Sequence, residues 1–193
     1  MSSRLPAPER RSQLLDVALA VFARKGFHDT SMNDVADAAG VTKPVLYQHW
    51  GSKNALYLAV LDEAGNRLVE TIAKATAPEP NGHDKVFAGF AAYFRLVAED
   101  HSPFQVLFDD SHRTEEFAEA TRGVEDAIAA GIAPLITADI DPEHQQLLAR
   151  AIVGLAETVA RHLVTSGKPF DPDRAARQAT DLAWSGLRGV RRV

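Results

Sequence analysis

Residues 31–50 read SMNDVADAAGVTKPVLYQHW and predict two short helices joined by a tight turn. Ser31 suits the N-cap of the first helix, because an acidic residue follows three positions later in a capping-box-like arrangement. Gly40 lies where a helix end needs a left-handed residue. Thr42 suits the N-cap of the second helix, and Pro44 falls in its first turn, where a missing N–H is harmless. The stretch therefore predicts a helix-turn-helix.

The second helix of this motif is expected to carry a polar outer surface. Leu46 and Trp50 are four residues apart and face inward together. A short, rigid, polar second helix on a small scaffold is what a helix-turn-helix inserts into a major groove. The side chains left on the outward and end faces are Lys43, Val45, Tyr47, Gln48 and His49.

The composition is that of a globular protein. The chain has 193 residues, of which 46% are hydrophobic and 24% charged, enough apolar content to bury a core. It has no cysteine, which excludes disulfides and thiolate metal sites. No apolar run reaches the roughly 18 residues of a membrane span, and the N-terminus has no hydrophobic signal core. We expect a cytoplasmic protein.

The charges are unevenly distributed along the chain. The net charge is −5, yet residues 1–55 carry seven Lys/Arg against five Asp/Glu. The remainder is acidic, and a mildly basic head on an acidic body is compatible with DNA binding by the head. Arg4, Arg10 and Arg11 are expected to be solvated, with a phosphate or minor-groove contact as the alternative.

Helical periodicity continues on both sides of the motif, and no alternating pattern predicts a strand. The fold is therefore expected to be all-α, with about nine helices. We predict an N-terminal three-helix DNA-binding domain over residues 8–68 and a larger helical ligand-binding and dimerisation domain over 69–193. The helices predicted outside the motif run over about 9–25, 53–77, 84–99, 103–108, 114–136, 141–165 and 171–190.

Small residues recur at helical spacing in the last helix. Such a stripe allows close helix approach, so the last two helices of two subunits could form a four-helix dimer interface. Ordinary packing within one chain is the alternative. The candidate interface residues are Leu155, Val159, Ala175, Ala179, Leu182, Ala183, Trp184, Gly186 and Leu187.

The middle helices are rich in phenylalanine. Each ring alone is best explained as core filling, but together they suggest a hydrophobic cavity with a polar edge, suited to an apolar or amphipathic ligand. The candidate pocket residues are Phe87, Phe90, Tyr93, Phe94, Phe104, Phe108, His112 and His162.

Catalytic and metal chemistry find little support in the residues. Ser111 and His112 beside Asp109 have triad residue types, but neighbours in a turn do not face one another correctly. The chain lacks G-x-S-x-G, a P-loop and G-x-G-x-x-G, and its histidines lack metal-ligand spacing. We expect no enzyme activity, no metal and no cofactor.

Residues 10–61 closely resemble the TetR family of transcriptional regulators. The resemblance rests on the aromatic after Lys-Gly, the Thr/Ser pair before the second helix, the VAxxAGV turn, LYxHW and GSKxAL. Trp50 stands where the family usually has Phe, which fits the same core position with a larger ring. The resemblance covers roughly the first third of the chain.

The resemblance implies a homodimeric repressor on a palindromic operator, released when a small-molecule inducer binds the C-terminal domain. Control by a partner protein is the alternative. The implied contacts combine phosphate binding by hydroxyl, imidazole and ammonium groups with base contacts from the start of the second motif helix. The candidate DNA-binding residues are Thr30, Ser31, Asn33, Thr42, Lys43, Pro44, Val45, Tyr47, Gln48, His49 and Lys53.

Overall fold

The computed structural model describes residues 7–108, 114–136 and 140–189. Within those residues the chain forms nine α-helices and one 3₁₀ turn, and no strand, which confirms the all-α prediction. The helices are α1 (Ala7–Lys25), α2 (Met32–Ala38), α3 (Lys43–His49), α4 (Lys53–Thr76), α5 (Gly82–Glu99), α6 (Ser102–Phe108), α7 (Glu115–Ile132), α8 (Pro142–Thr165) and α9 (Pro172–Gly189).

The described residues form two compact units. Unit 1 comprises those within Met1–Gly65 and Ser102–Thr121, and unit 2 those within Asn66–His101 and Arg122–Val193. Helices α4 and α7 each contribute to both units. Helix α6 and the first residues of α7 thus belong to the same unit as the N-terminal helices. A single division of the sequence near residue 68 would place them in the C-terminal domain.

The core of unit 1 is built on the apolar stripe of α1. Its buried residues recur at helical spacing, as the sequence predicts, and α1 packs against α2, α4 and α6. Burying each such aliphatic or aromatic side chain contributes about 1.5–3 kcal/mol. The buried residues of α1 to α4 include Leu14, Leu15, Ala18, Val21, Phe22, Met32, Val35, Ala36, Leu46, Leu56, Val60 and Leu61.

An aromatic cluster joins the later segment of unit 1 to this core. The Phe117 ring, at the start of α7, lies 4.9 Å from the Phe27 ring and 4.7 Å from the Tyr57 ring, between centroids. The Tyr57 hydroxyl donates to the Val106 carbonyl of α6 at 3.3 Å. Rings at these separations and tilts attract one another edge to face. Helices α6 and α7 are therefore fixed against α4 inside unit 1.

Unit 2 is organised by the packing of α5 against α9. Ala175 and Ala179 are buried within the single chain, at 8% and 5% exposure. Arg95 of α5 also pairs with Asp173 of α9 at 2.8 Å. These two alanines therefore pack within the single chain. Packing within one chain was the alternative to a role for them in a dimer interface.

The sequence predicts a helix over 114–136, with a bend near Gly131 or Pro134 as an alternative, and the structure changes helix type at Pro134. The α-helix ends at Ile132, and Ala133–Leu135 form a 3₁₀ turn around Pro134. Proline lacks the N–H that would continue the α-helical ladder, so the tighter turn takes over. Ala133 and Ile136 then pack with Ala129, Ala149 and Leu187 in an apolar cluster of unit 2.

Candidate nucleic-acid interface

Helix α2 is closed by hydrogen bonds at both of its ends, and those at its C-terminal end also shape the turn that leads to α3. At the start of α2, the Ser31 hydroxyl accepts from the Asp34 N–H at 3.2 Å, and the Asp34 carboxylate accepts from the Ser31 N–H at 2.8 Å. At the end of α2, Gly40 has φ +64°, and the Val41 N–H donates to the Ala36 carbonyl at 3.0 Å. These are a capping box and a Schellman motif, so the angle between the two helices is held rigidly.

Helix α3 divides into a buried side and an exposed side. Leu46 is fully buried and Trp50 is 5% exposed, as their spacing predicts. Tyr47 is 45% exposed, which is unusual for a large aromatic side chain. The predicted contact residues with exposed side chains on this side are Thr42, Lys43, Pro44, Tyr47, Gln48 and His49, and Val45 is half-buried.

The hydroxyl of Thr42 does not perform the predicted cap. Thr42 holds the N-cap position, with φ −86° and ψ 151°, but its side chain makes no capping hydrogen bond. Pro44 falls in the first turn and removes one of the N–H groups that a cap would satisfy. The exposed hydroxyl is therefore available to an external acceptor.

Two of the residues predicted at the start of α2 already have partners within the chain. Thr30 is 2% exposed and its hydroxyl donates to the Gly26 carbonyl at 2.7 Å, so this side chain supports the turn and faces inward. The Ser31 hydroxyl is exposed and donates to the Asp34 carboxylate. Asn33, two residues further, is exposed and faces solvent.

Asp34 is held in its charged form by a contact with the end of α1. The Lys25 ammonium donates to this carboxylate. That hydrogen bond, followed by those from Ser31, holds the pKa of the Asp34 carboxyl well below its usual range. An anion in the first turn of a helix is favourable, and the Lys25 ammonium compensates its charge. Complementary charges at the end of one helix and the start of the next are the sequence pattern that indicates such a pair.

Lys53 is engaged inside unit 1. Its ammonium donates to the carbonyls of Phe27, at 2.8 Å, and His28, at 3.3 Å. The same nitrogen lies 4.3 Å from the centroid of the Phe27 ring. The predicted phosphate ligand thus holds the turn that follows α1, and its side chain is half-buried.

Arg11, which the sequence predicts to be solvated, with a phosphate or minor-groove contact as the alternative, lies beside Trp50 at the end of α3. Its guanidinium carbon is 5.5 Å from the centroid of the Trp50 ring. The His49 ring lies 5.3 Å from the same indole. A guanidinium near an aromatic face is attracted by the ring. Arg11 therefore adds an exposed positive charge beside Trp50, whose indole the His49 ring also approaches.

The predicted ligand-pocket residues divide between the two units. Phe90, Tyr93 and Phe94 are buried in unit 2, where Phe87 is half-buried and His162 is exposed. Phe104 and Phe108 are buried in unit 1, with ring centroids 5.2 Å apart. His112 lies outside the described residues. The buried aromatic residues therefore form two sets, and each set lies in the interior of its own unit.

Two further properties bear on the function classes. No three His, Asp or Glu side chains gather as a metal-ligand set in residues 7–108, 114–136 and 140–189. None of the helices described above is long and apolar enough to cross a membrane.

Comparison with known proteins gives matches at both ends of the chain. Residues 14–60 match the model for bacterial regulatory proteins of the tetR family, and residues 83–186 match a tetracyclin repressor-like C-terminal domain. The chain is 33% identical to the transcriptional activator FasR of Mycolicibacterium smegmatis, over 97% of this chain and 87% of that protein. It is 42% identical to the transcriptional repressor KstR2 of Rhodococcus jostii, over 92% and 91%.

Solved structures share the fold over nearly the whole length. A TetR-like regulator from Rhodococcus sp. superposes with a TM-score of 0.80 at 32% identity, covering 97% of this chain and all of that one. FadR of Bacillus subtilis in complex with stearoyl-CoA superposes with a TM-score of 0.81 at 17% identity, covering 91% and 98%.

Proposed function

Because this chain belongs to the TetR family of bacterial regulatory proteins, we propose that it represses transcription as a homodimer bound to a palindromic operator. The family and the relatives named above are DNA-binding transcriptional regulators and not enzymes. A small apolar or amphipathic ligand, bound in the C-terminal half, releases the operator. Since the target is chromosomal DNA, we place the protein in the cytoplasm.

The observation that carries the DNA-binding role is the exposed face of α3 on a rigid turn. Thr42, Lys43, Pro44 and Val45 lie at the leading end of the helix, where a recognition helix meets base edges. The Lys43 ammonium suits guanine O6 and N7, and the apolar surface of Pro44 and Val45 suits a thymine methyl group.

Polar groups flank this end of α3 and suit phosphate contacts, which fix the register of a protein on the duplex. The exposed Tyr47 hydroxyl, the His49 ring and the Gln48 amide are our candidates on α3. Ser31 and Asn33 offer the same chemistry at the start of α2. Arg11 adds a permanent positive charge beside Trp50, at the end of α3.

Two exposed leucines support the dimer. Leu147 of α8 is 64% exposed and Leu182 of α9 is 65% exposed; with Tyr47 they are the exposed large hydrophobic residues of the described chain. Gly154 and Gly186 lie on the same two helices, and a Cβ added at either would meet no described heavy atom within 4 Å. Leucines beside small residues allow a partner helix to approach closely. A homodimer formed there would carry two α3 helices, one for each half-site of a palindromic operator.

For the effector we propose a fatty acyl thioester. The support is the apolar interior around α5, together with the stearoyl-CoA held by the structurally similar FadR. A ligand shifts the equilibrium between two conformers only by the difference in its affinity for them. The protein therefore leaves the operator if the ligand binds more tightly to the conformer with the lower operator affinity.

The test is fluorescence anisotropy with duplexes from the region upstream of the gene. We expect binding that weakens steeply as salt rises, two chains per duplex by light scattering, and release on addition of palmitoyl-CoA. If no upstream fragment binds even at low salt, the repressor proposal is wrong. Binding that palmitoyl-CoA does not weaken would refute only the effector class.

A matched pair of lysine variants separates base reading from general attraction. Lys43→Ala should cost about 1–3 kcal/mol of operator affinity and relax the preference at one base pair. Lys74→Ala removes the same charge from the solvent-exposed pair with Glu70 in unit 2 and should leave the affinity unchanged. Equal losses for the two variants would show that Lys43 acts only through net charge.

A further inference from the structure

A buried tyrosine in unit 2 ends in a hydroxyl without a hydrogen bond. Tyr93 of α5 is 6% exposed, and its hydroxyl oxygen has no partner in the part of the chain that the structure describes. The only other buried side-chain atom of that kind there is the indole nitrogen of Trp50, in unit 1. Leaving a buried hydroxyl unbonded costs about 1–3 kcal/mol, so such a group in a folded protein requires an explanation.

The surroundings of Tyr93 combine apolar and charged groups. On α5 itself, its ring lies 5.6 Å from the Phe94 ring, between centroids. The charges that act on the hydroxyl come from Glu157 and Arg161 of α8 and Glu125 of α7. Arg161 already donates to Glu157 at 2.7 Å, and the Glu157 side chain is only 20% exposed. A ligand group that reaches the Tyr93 hydroxyl would therefore be largely removed from contact with water.

These neighbours determine which chemical group of a ligand can receive a hydrogen bond from the hydroxyl. Burial, and then the Glu157 charge, raise the pKa of Tyr93 far above its usual range, so the hydroxyl stays protonated and acts as a donor. Two carboxylates and one guanidinium act on the hydroxyl, and the guanidinium of Arg161 is already bound by Glu157, so an anionic partner would meet a net negative charge. The partner that fits is an uncharged acceptor, such as a carbonyl oxygen.

We propose that the Tyr93 hydroxyl anchors the effector by donating a hydrogen bond to an uncharged carbonyl oxygen, as in an acyl thioester. This inference rests on the proposed acyl thioester effector, and it names the atom by which unit 2 would recognise it. It also predicts discrimination against the free fatty acid, whose carboxylate carries the wrong charge for this position.

The test compares two ligands that differ by one oxygen atom, using the full chain and isothermal titration calorimetry. Palmitoyl-CoA has the thioester carbonyl, and S-hexadecyl-CoA, the thioether, lacks it. The wild-type protein should bind the thioester about tenfold more tightly, which corresponds to roughly 1.4 kcal/mol. Tyr93→Phe should lose that tenfold preference, bind the thioether unchanged and keep its operator affinity without ligand.

A second tyrosine provides the control for folding. The Tyr57 hydroxyl donates to the Val106 carbonyl at 3.3 Å, so Tyr57→Phe removes a satisfied hydroxyl and should lower the melting temperature. Tyr93→Phe removes an unsatisfied one and should leave the melting temperature unchanged or raise it. Tyr57→Phe should retain the preference for the thioester.

The outcomes distinguish the two proposals. The Tyr93 anchor is wrong if the wild type binds both ligands equally, if Tyr93→Phe keeps the thioester preference, or if Tyr93→Phe lowers the melting temperature as Tyr57→Phe does. In all three cases acyl-CoA binding itself stands. If the wild type binds neither ligand, the proposed effector class is wrong, and the anchor is rejected with it.

Discussion

The ammonium nitrogen of Lys53 lies 2.8 Å from the carbonyl oxygen of Phe27 and 4.3 Å from the centroid of the same residue's ring. One side chain thus links the first turn of α4 to the turn that follows α1. Gly26, with φ +78°, ends α1 in a left-handed turn, so the carbonyls of Phe27 and His28 have no helical N–H partners. The Lys53 ammonium donates hydrogen bonds to both of them. The contact orients the scaffold on which α2 and α3 are mounted.

We predict that Lys53→Met, which keeps most of the aliphatic stem, lowers the free energy of unfolding by about 1–2 kcal/mol, because it loses charge-assisted hydrogen bonds. The slope of log affinity against log salt for the operator should not change. Urea denaturation and salt-dependent anisotropy measure the two quantities. A slope reduced by about one, with unchanged stability, would instead identify Lys53 as a phosphate ligand.

Gly40 should be intolerant of alanine for reasons of backbone conformation alone. Its φ is +64°, and an added Cβ would meet no described atom within 4 Å. We expect Gly40→Ala to cost about 1–2 kcal/mol in urea denaturation, since a left-handed conformation is strained for any residue with a Cβ. Gly51→Ala is the matched control, because its Cβ also enters open space and its φ is not in the left-handed region. Equal effects of the two variants would contradict this account.

Several features of unit 1 follow directly from local sequence. The Ser31 cap, the left-handed Gly40 and the inward pair of Leu46 and Trp50 each depend on neighbours within a few positions, so spacing was sufficient to predict them. The same holds for the long α4 and for the proline-led starts of α8 and α9.

Other features depend on contacts between distant residues and have no local pattern. Nothing near Lys53 reveals its partners, which lie 25 and 26 positions earlier. Phe117 lies in a phenylalanine-rich segment that the sequence associates with the C-terminal half, yet its ring packs on Phe27. Tertiary packing decides such cases.

The Asp34 contacts give the protein a defined acid sensitivity. Because the folded-state pKa of this carboxyl lies below its unfolded value near 3.8, its contribution is complete above that value and is lost as pH falls through the folded-state pKa. We predict that the melting temperature of the wild type falls more steeply below about pH 4 than that of Asp34→Asn. Parallel curves for the two proteins between pH 5 and pH 2.5 would contradict the prediction.

Leu182 provides a test of the proposed dimer. Leu182→Asp places a charge at the centre of the proposed interface and should shift light scattering of the protein from two chains to one at micromolar concentration. The fold should persist, because this side chain is 65% exposed in the single chain. Arg177→Asp, at another exposed position of α9, is the control and should remain dimeric. A dimeric Leu182→Asp protein would exclude this surface as the interface.

The composition of unit 1 has a consequence during synthesis of the protein. Phe27 and Tyr57 leave the ribosome early, but Phe117, which packs on both rings, is made 52 residues after Gly65. At about 5–20 residues per second, this leaves a nascent chain with incomplete aromatic packing for roughly 3–10 s. Chaperones have that interval in which to recognise it. A truncated message ending after α4 would yield the residues that we propose to contact DNA without the segment that completes their fold.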